Sequence, residues 1–123
     1  MTVSILYVDD EPDLREIAAM ALELDPDIAV TTCASGAEAL DVLSTMKPDL
    51  VLLDMMMPVM DGPMTLAAIR ERFGKAIPVV FITARTSPAD VEALVAAGAQ
   101  GVIPKPFDPM KLTAQVRFFI DHA

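Results

Sequence analysis

The stretch from Ile5 to Glu16, ILYVDDEPDLRE, holds the signals that decide how the chain folds. It ends a short apolar run, Val3–Val8, that has no polar alternation, as in a strand buried on both faces. Asp9, Asp10 and Glu11 follow side by side, where like charges repel. Pro12 then suits a first helical turn, and Leu14, Ile17, Ala18, Ala21 and Leu24 recur at helical spacing. Buried strand, acidic turn and amphipathic helix make one β–α unit.

The same alternation continues outward. Apolar runs at Ile28–Cys33, Leu50–Leu53, Ile77–Ile82 and Gly101–Ile103 predict four more strands. Helical spacing recurs in Leu66, Ile69 and Phe73, in Val91, Leu94 and Val95, and in Leu112, Val116, Phe119 and Ile120, with a shorter helix over Ala37–Leu43. Ser35 suits an N-cap, Gly98 a residue just past a helix end, and Asp108-Pro109 a cap followed by a first-turn proline. Five β–α units with right-handed crossovers predict an α/β fold, a single (βα)₅ doubly wound domain over residues 1–123.

Composition narrows the function. A chain of 123 residues with 54 % hydrophobic content can bury one sizeable core. A formal net charge of -9 repels phosphate backbones and anionic lipid, which argues against direct nucleic-acid or membrane binding. With acids where a signal peptide would carry an apolar core, and no apolar run of spanning length, the expected location is cytoplasmic. Cys33 is the only cysteine, so disulfides within the chain and cysteine–zinc sites are excluded.

Open parallel sheets bind ligands beyond the carboxyl ends of their strands. Those ends carry Asp9, Asp10 and Glu11 after strand one, Asp54 after strand three, Thr83 after strand four and Lys105 after strand five. Clustered carboxylates are costly without a cation, and oxygen-only ligands select a hard ion. A sparse site of one or two carboxylates suits Mg²⁺ better than Ca²⁺. An aspartate nucleophile beside a metal, an ammonium and a hydroxyl has the parts for phosphoryl transfer, and Asp54, alone at a central strand end, is the best nucleophile. Glu11 is expected to be a solvated loop acid, and Gly62 to start a helix after Asp61. The stretch Met55–Met57 with Met60 and Met64 lacks the cysteine or histidine of a soft-metal site and suits gap filling, and His122 is assigned no role.

The motifs YVDDEPDL, LLDMMMPVMDG around Asp54, FITAR around Thr83 and IPKPF around Lys105 resemble, in order and spacing, the receiver domain of two-component response regulators (the CheY-like superfamily) over essentially the whole chain. The resemblance implies a flavodoxin-like five-stranded parallel sheet in the order 2-1-3-4-5. It implies that Asp54 accepts a phosphoryl group from a histidine kinase or phosphotransfer protein. Mg²⁺ would be held by Asp10, by Asp9 largely through water, by Asp54 and by the Met56 backbone carbonyl. Thr83 and Lys105 would contact the phosphoryl group, Met56 and Arg85 would flank the attacking water, and a cis Lys105–Pro106 peptide would aim the ammonium. The expected partner surface is helix four, strand five and helix five, serving an unspecified effector or output domain. Val102 departs from the family, which usually has there an aromatic that exchanges rotamers with the state of the threonine. Three rivals differ in class. A haloacid-dehalogenase-type phosphatase would show D-x-D, yet Met55 and Met56 follow Asp54. An FMN-binding module would need a glycine- and hydroxyl-rich loop where the three acids stand. A pseudo-receiver would lack the Asp10, Asp54 and Lys105 set.

Overall fold

The computed structural model describes residues 2–122. Ten elements alternate along the chain: β1 Val3–Val8, α1 Pro12–Leu22, β2 Ile28–Cys33, α2 Gly36–Leu43, β3 Leu50–Asp54, α3 Gly62–Phe73, β4 Val79–Thr83, α4 Pro88–Ala96, β5 Gly101–Pro104 and α5 Leu112–Asp121. The strands form one parallel sheet in the order β2-β1-β3-β4-β5. Sequence order and sheet order diverge at β1, which pairs with both β2 and β3, and the acidic turn leaves the sheet at that switch point.

Strand periodicity assigns the two faces. Leu6, Val8, Leu53, Val79 and Phe81 point to one side and pack with Leu40, Leu43, Leu66, Ile69 and Leu94 of α2, α3 and α4. Ile5, Tyr7, Leu52, Val80 and Ile82 point to the other and pack with Ala18, Leu22, Leu112 and Val116 of α1 and α5. Both faces are therefore covered, which is why the central strands carry no polar alternation. Each leucine buried in full removes apolar surface worth about 2 kcal/mol from water.

Local chemistry sets the helix ends. Ser35 Oγ caps α2 by accepting from Glu38 N at 3.1 Å, Asp61 Oδ1 caps α3 by accepting from Met64 N at 2.9 Å, and Ser87 Oγ caps α4 by accepting from Asp90 N at 3.1 Å. Gly98 follows α4 with φ +113°, a conformation that side chains resist. Arg70 closes the far end of this layer, donating to the carbonyls of Ile77 at 2.8 Å and Gly98 at 2.9 Å.

Several boundaries differ from the sequence expectation. Strand four begins at Val79 rather than Ile77, because Pro78 has no N–H for the ladder, although its carbonyl still accepts from Val51 N at 2.9 Å. Strands three, four and five each run one residue further, taking in Asp54, Thr83 and Pro104. Helix one ends at Leu22, so Leu22 enters the core while Leu24 is 72 % exposed. The Asp108-Pro109 pair makes a turn instead of opening α5: Asp108 accepts from Met110 N through Oδ1 and from Lys111 N through its carbonyl, both at 2.9 Å, and the helix starts at Leu112. In α4 only Leu94 is buried, and Val95 is exposed. The Lys105–Pro106 peptide is cis, as the resemblance implies.

Candidate functional site

The carboxyl edge of the sheet gathers the candidate residues. Asp54 is the last residue of β3, level with Ile82 of β4. Asp9 follows β1 and remains tied to the sheet, its N–H donating to the Cys33 carbonyl at 3.1 Å. Thr83 ends β4 opposite Pro104, and its carbonyl accepts from Lys105 N at 2.9 Å, so the backbone fixes where the lysine leaves the strand.

Asp9, Asp10 and Asp54 each offer a carboxylate oxygen within 4.8 Å of the others. Asp9 and Asp54 are buried, while Asp10 is half-exposed. Lys105 Nζ lies 3.2 Å from Asp54 Oδ1 and 3.6 Å from Asp9 Oδ2. Asp9 is held on every side: Oδ2 accepts from the Tyr7 hydroxyl at 2.9 Å, Oδ1 accepts from Glu11 N at 3.0 Å, and its carbonyl accepts from Arg15 Nη1 at 2.8 Å. Thr83 Oγ1 accepts from Arg85 N at 3.0 Å, which leaves the hydroxyl hydrogen to donate. Met56, Thr83 and Arg85 share a small cleft with Met55 and Ala84, with the Met56 side chain exposed at its rim. Val102 stands apart from this cluster, half-buried against the α2–α4 side of the core.

The electrostatics follow from burial. Desolvation, then the charge of Asp9, pushes the Asp54 carboxyl up to about 6, against the hydrogen bond and charge of Lys105 that pull it down. Burial alone would lower Lys105, but the hydrogen bond to Asp54 and the charges of Asp54, Asp9 and Glu11 outweigh it and raise the ammonium above its usual range. One cation thus faces three acids. An all-oxygen donor set with a half-exposed member fits a hard divalent cation of the Mg²⁺ kind.

Three supporting residues escaped the sequence. Gly62 starts α3 after Asp61 as expected, but its second role was not visible: a Cβ there would lie 2.6 Å from the Asp54 carbonyl oxygen and 2.7 Å from the Phe81 ring, so α3 docks directly behind Asp54. The Asp61-Gly62 pair was the available signal. Arg15 and Tyr7 bind Asp9 from α1 and β1, and no local motif marks either.

With the carboxyl raised, ionised Asp54 works against folding when metal is absent. Below about pH 4 the group is protonated in both folded and unfolded chains; as pH rises through about 6 the unfolded chain loses its proton first, and stability falls. In chelator, Asp54→Asn should therefore be more stable than the wild type at pH 7.5, by on the order of 2 kcal/mol, and the advantage should vanish near pH 4. Urea unfolding at the two pH values checks this.

The sequence matches the family model of the response regulator receiver domain over residues 5–117. It is 43 % identical over 117 residues to the response regulator Rre1 of Synechocystis, covering 94 % of this chain and 50 % of that protein. It is 39 % identical over 118 residues to the DNA-binding response regulator MtrA of Mycolicibacterium smegmatis, covering 95 % of this chain and 50 % of that one. The chain thus spans about half the length of these curated relatives. The fold superposes on the chemotaxis response regulator CheY4 of Vibrio cholerae with TM-score 0.88 at 32 % identity, covering 97 % of this chain and 99 % of that one. No helix among the described residues is long and apolar enough to cross a membrane. Fold, acid cluster and sequence agree: the chain belongs to the response regulator receiver family, phosphorylation-dependent signalling modules whose own chemistry is limited to gaining and losing a phosphoryl group.

Proposed function

We propose that residues 1–123 act as one receiver unit in the cytoplasm, with Asp54 the phosphoacceptor and the phosphohistidine of a histidine kinase or phosphotransfer protein the donor. The observation that supports this most is the Lys105 ammonium, 3.2 Å from Asp54 and 3.6 Å from Asp9, beside an all-oxygen acid cluster. An Asp54 oxygen attacks phosphorus, the P–O bond forms, the P–N bond breaks, and the departing imidazole keeps the electron pair. Lys105 and the Thr83 hydroxyl meet the charge on the transferred oxygens. Asp9, Asp10, Asp54 and the Met56 backbone carbonyl would hold Mg²⁺, which when bound offsets negative charge on the phosphoryl group. In the return step water attacks phosphorus, the acyl-phosphate bond breaks, and the Asp54 carboxylate is restored. Met56 and Arg85, on the cleft beside Thr83, tune the approach of that water.

With acetyl phosphate and Mg²⁺, intact-mass measurement should show one added phosphoryl group, lost in Asp54→Asn and in chelator. Equal labelling of Asp54→Asn would reject the assignment. Replacing both Met56 and Arg85 with alanine should change the dephosphorylation rate by about tenfold or more, roughly 1.4 kcal/mol in the barrier.

Val102 bears on how the switch is expressed. A β-branched side chain is stiff at χ1 and too small for a large inward–outward exchange. It is also partly packed into the core. Movement of Thr83 toward a phosphoryl group is then expressed in the segment from Thr83 through α4, which is exposed along most of its length. Partner recognition is assigned to the α4–β5–α5 face, serving an effector protein or output domain. Beryllofluoride with Mg²⁺ should shift backbone amides from Thr83 to Gly98 more than those at Gly101–Ile103. Dominant shifts at Val102 and Ile103 beside a quiet Thr83–Gly98 segment would contradict this reading.

A further inference from the structure

Tyr7 lies on β1, wholly buried, and the chemistry above makes no use of it. Its hydroxyl donates to Asp9 Oδ2 at 2.9 Å, and its ring meets Phe107 edge to face with centroids 6.4 Å apart. Phe107 follows Lys105 by two residues, so the phenol ring touches the segment that carries the lysine while its hydroxyl touches the acid. The other Asp9 oxygen accepts from Glu11 N at 3.0 Å. Each oxygen of this buried carboxylate thus has one neutral donor in a fixed place, the first from strand β1 and the second from the backbone.

The remaining neighbour of Asp9 Oδ2 is neither neutral nor fixed. Lys105 Nζ stands 3.6 Å from that oxygen, beyond a good hydrogen bond, and 3.2 Å from Asp54 Oδ1. Lysine is a point charge on a flexible stem, and a buried carboxylate deprived of a donor is costly. Removing the phenol hydroxyl would leave the ammonium as the nearest replacement. Asp9 would turn toward Lys105, and Lys105 would leave Asp54.

We infer that Tyr7 is a positioning residue for the acid site: its hydroxyl keeps Asp9 from closing onto Lys105, so that Asp9 stays presented to a divalent cation and Lys105 stays on Asp54. The inference rests on the Mg²⁺ site proposed above and deepens it by naming a residue that sets cation affinity. Partners that orient metal-binding groups commonly contribute ten- to a hundredfold in affinity. The Tyr7→Phe substitution isolates the effect, because it retains the buried ring and its packing on Phe107.

The test is Mg²⁺ titration followed by amide NMR on four proteins: wild type, Tyr7→Phe, Asp9→Asn and the double variant. Tyr7→Phe should raise the Mg²⁺ Kd ten- to a hundredfold in the wild-type background and by less than twofold in Asp9→Asn, since the hydroxyl acts through Asp9. A Kd within twofold of wild type, or an equal weakening in both backgrounds, overturns the inference. The chain has one tyrosine and no tryptophan, so its intrinsic emission reports Tyr7 alone. A phenol bonded to a carboxylate emits weakly, and metal-free Asp9→Asn should emit more strongly than metal-free wild type. Equal emission overturns the hydrogen bond on which the inference stands, even should Tyr7→Phe fail to fold. A wild-type protein that binds no Mg²⁺ rejects the metal site itself; Mg²⁺ binding with an unresponsive Tyr7→Phe rejects only the role of Tyr7.

Discussion

The Lys105 ammonium between Asp54 and Asp9 is the contact around which the carboxyl edge is arranged. Two carboxylates about 5 Å apart repel by roughly 3 kcal/mol at an effective dielectric of about 20, and partial burial adds a desolvation cost. The fold meets this with the Lys105 ammonium, a phenol and a backbone amide rather than with enough positive charge to neutralise the cluster. A deficit of cations remains. Burial first, and then the charge of Asp9, pushes the Asp54 carboxyl up, and the acid cluster fits a divalent ion.

Main-chain geometry brings those groups to one edge. Parallel pairing puts the carboxyl ends of β1, β3, β4 and β5 on one edge, and the switch point at β1 directs the acidic turn beside Asp54. Gly62 lets α3 approach the Asp54 carbonyl, and the bond from Lys105 N to the Thr83 carbonyl fixes the departure of the lysine. Apolar layers cover the sheet on both faces. Function rests on the few polar residues that extend past it.

Much of this was legible in the sequence because strong signals coincided. The uninterrupted runs Ile5–Val8 and Leu50–Leu53 could be buried on both faces only in a covered parallel sheet, and that topology by itself brings Asp9, Asp10, Asp54, Thr83 and Lys105 to one edge. What escaped lay at helix ends and in side-chain hydrogen bonds that apolar patterning does not encode. Leu24 fits the helical period of α1 but lies beyond its end, where Leu22 takes the core position. Asp108-Pro109 has the composition of a helix start, yet the Asp108 carboxylate closes a local turn first. Tyr7 looks like any strand residue, yet its hydroxyl meets Asp9 in the folded chain.

The central claim is that the edge is short of positive charge until a cation arrives. Side-chain carboxyl ¹³C NMR of Asp54, titrated with and without Mg²⁺, measures this most directly. In chelator the resonance should titrate near pH 6, and with saturating Mg²⁺ its midpoint should fall well below that value. An ordinary carboxylate midpoint near pH 4 in chelator, unmoved by Mg²⁺, would contradict the account.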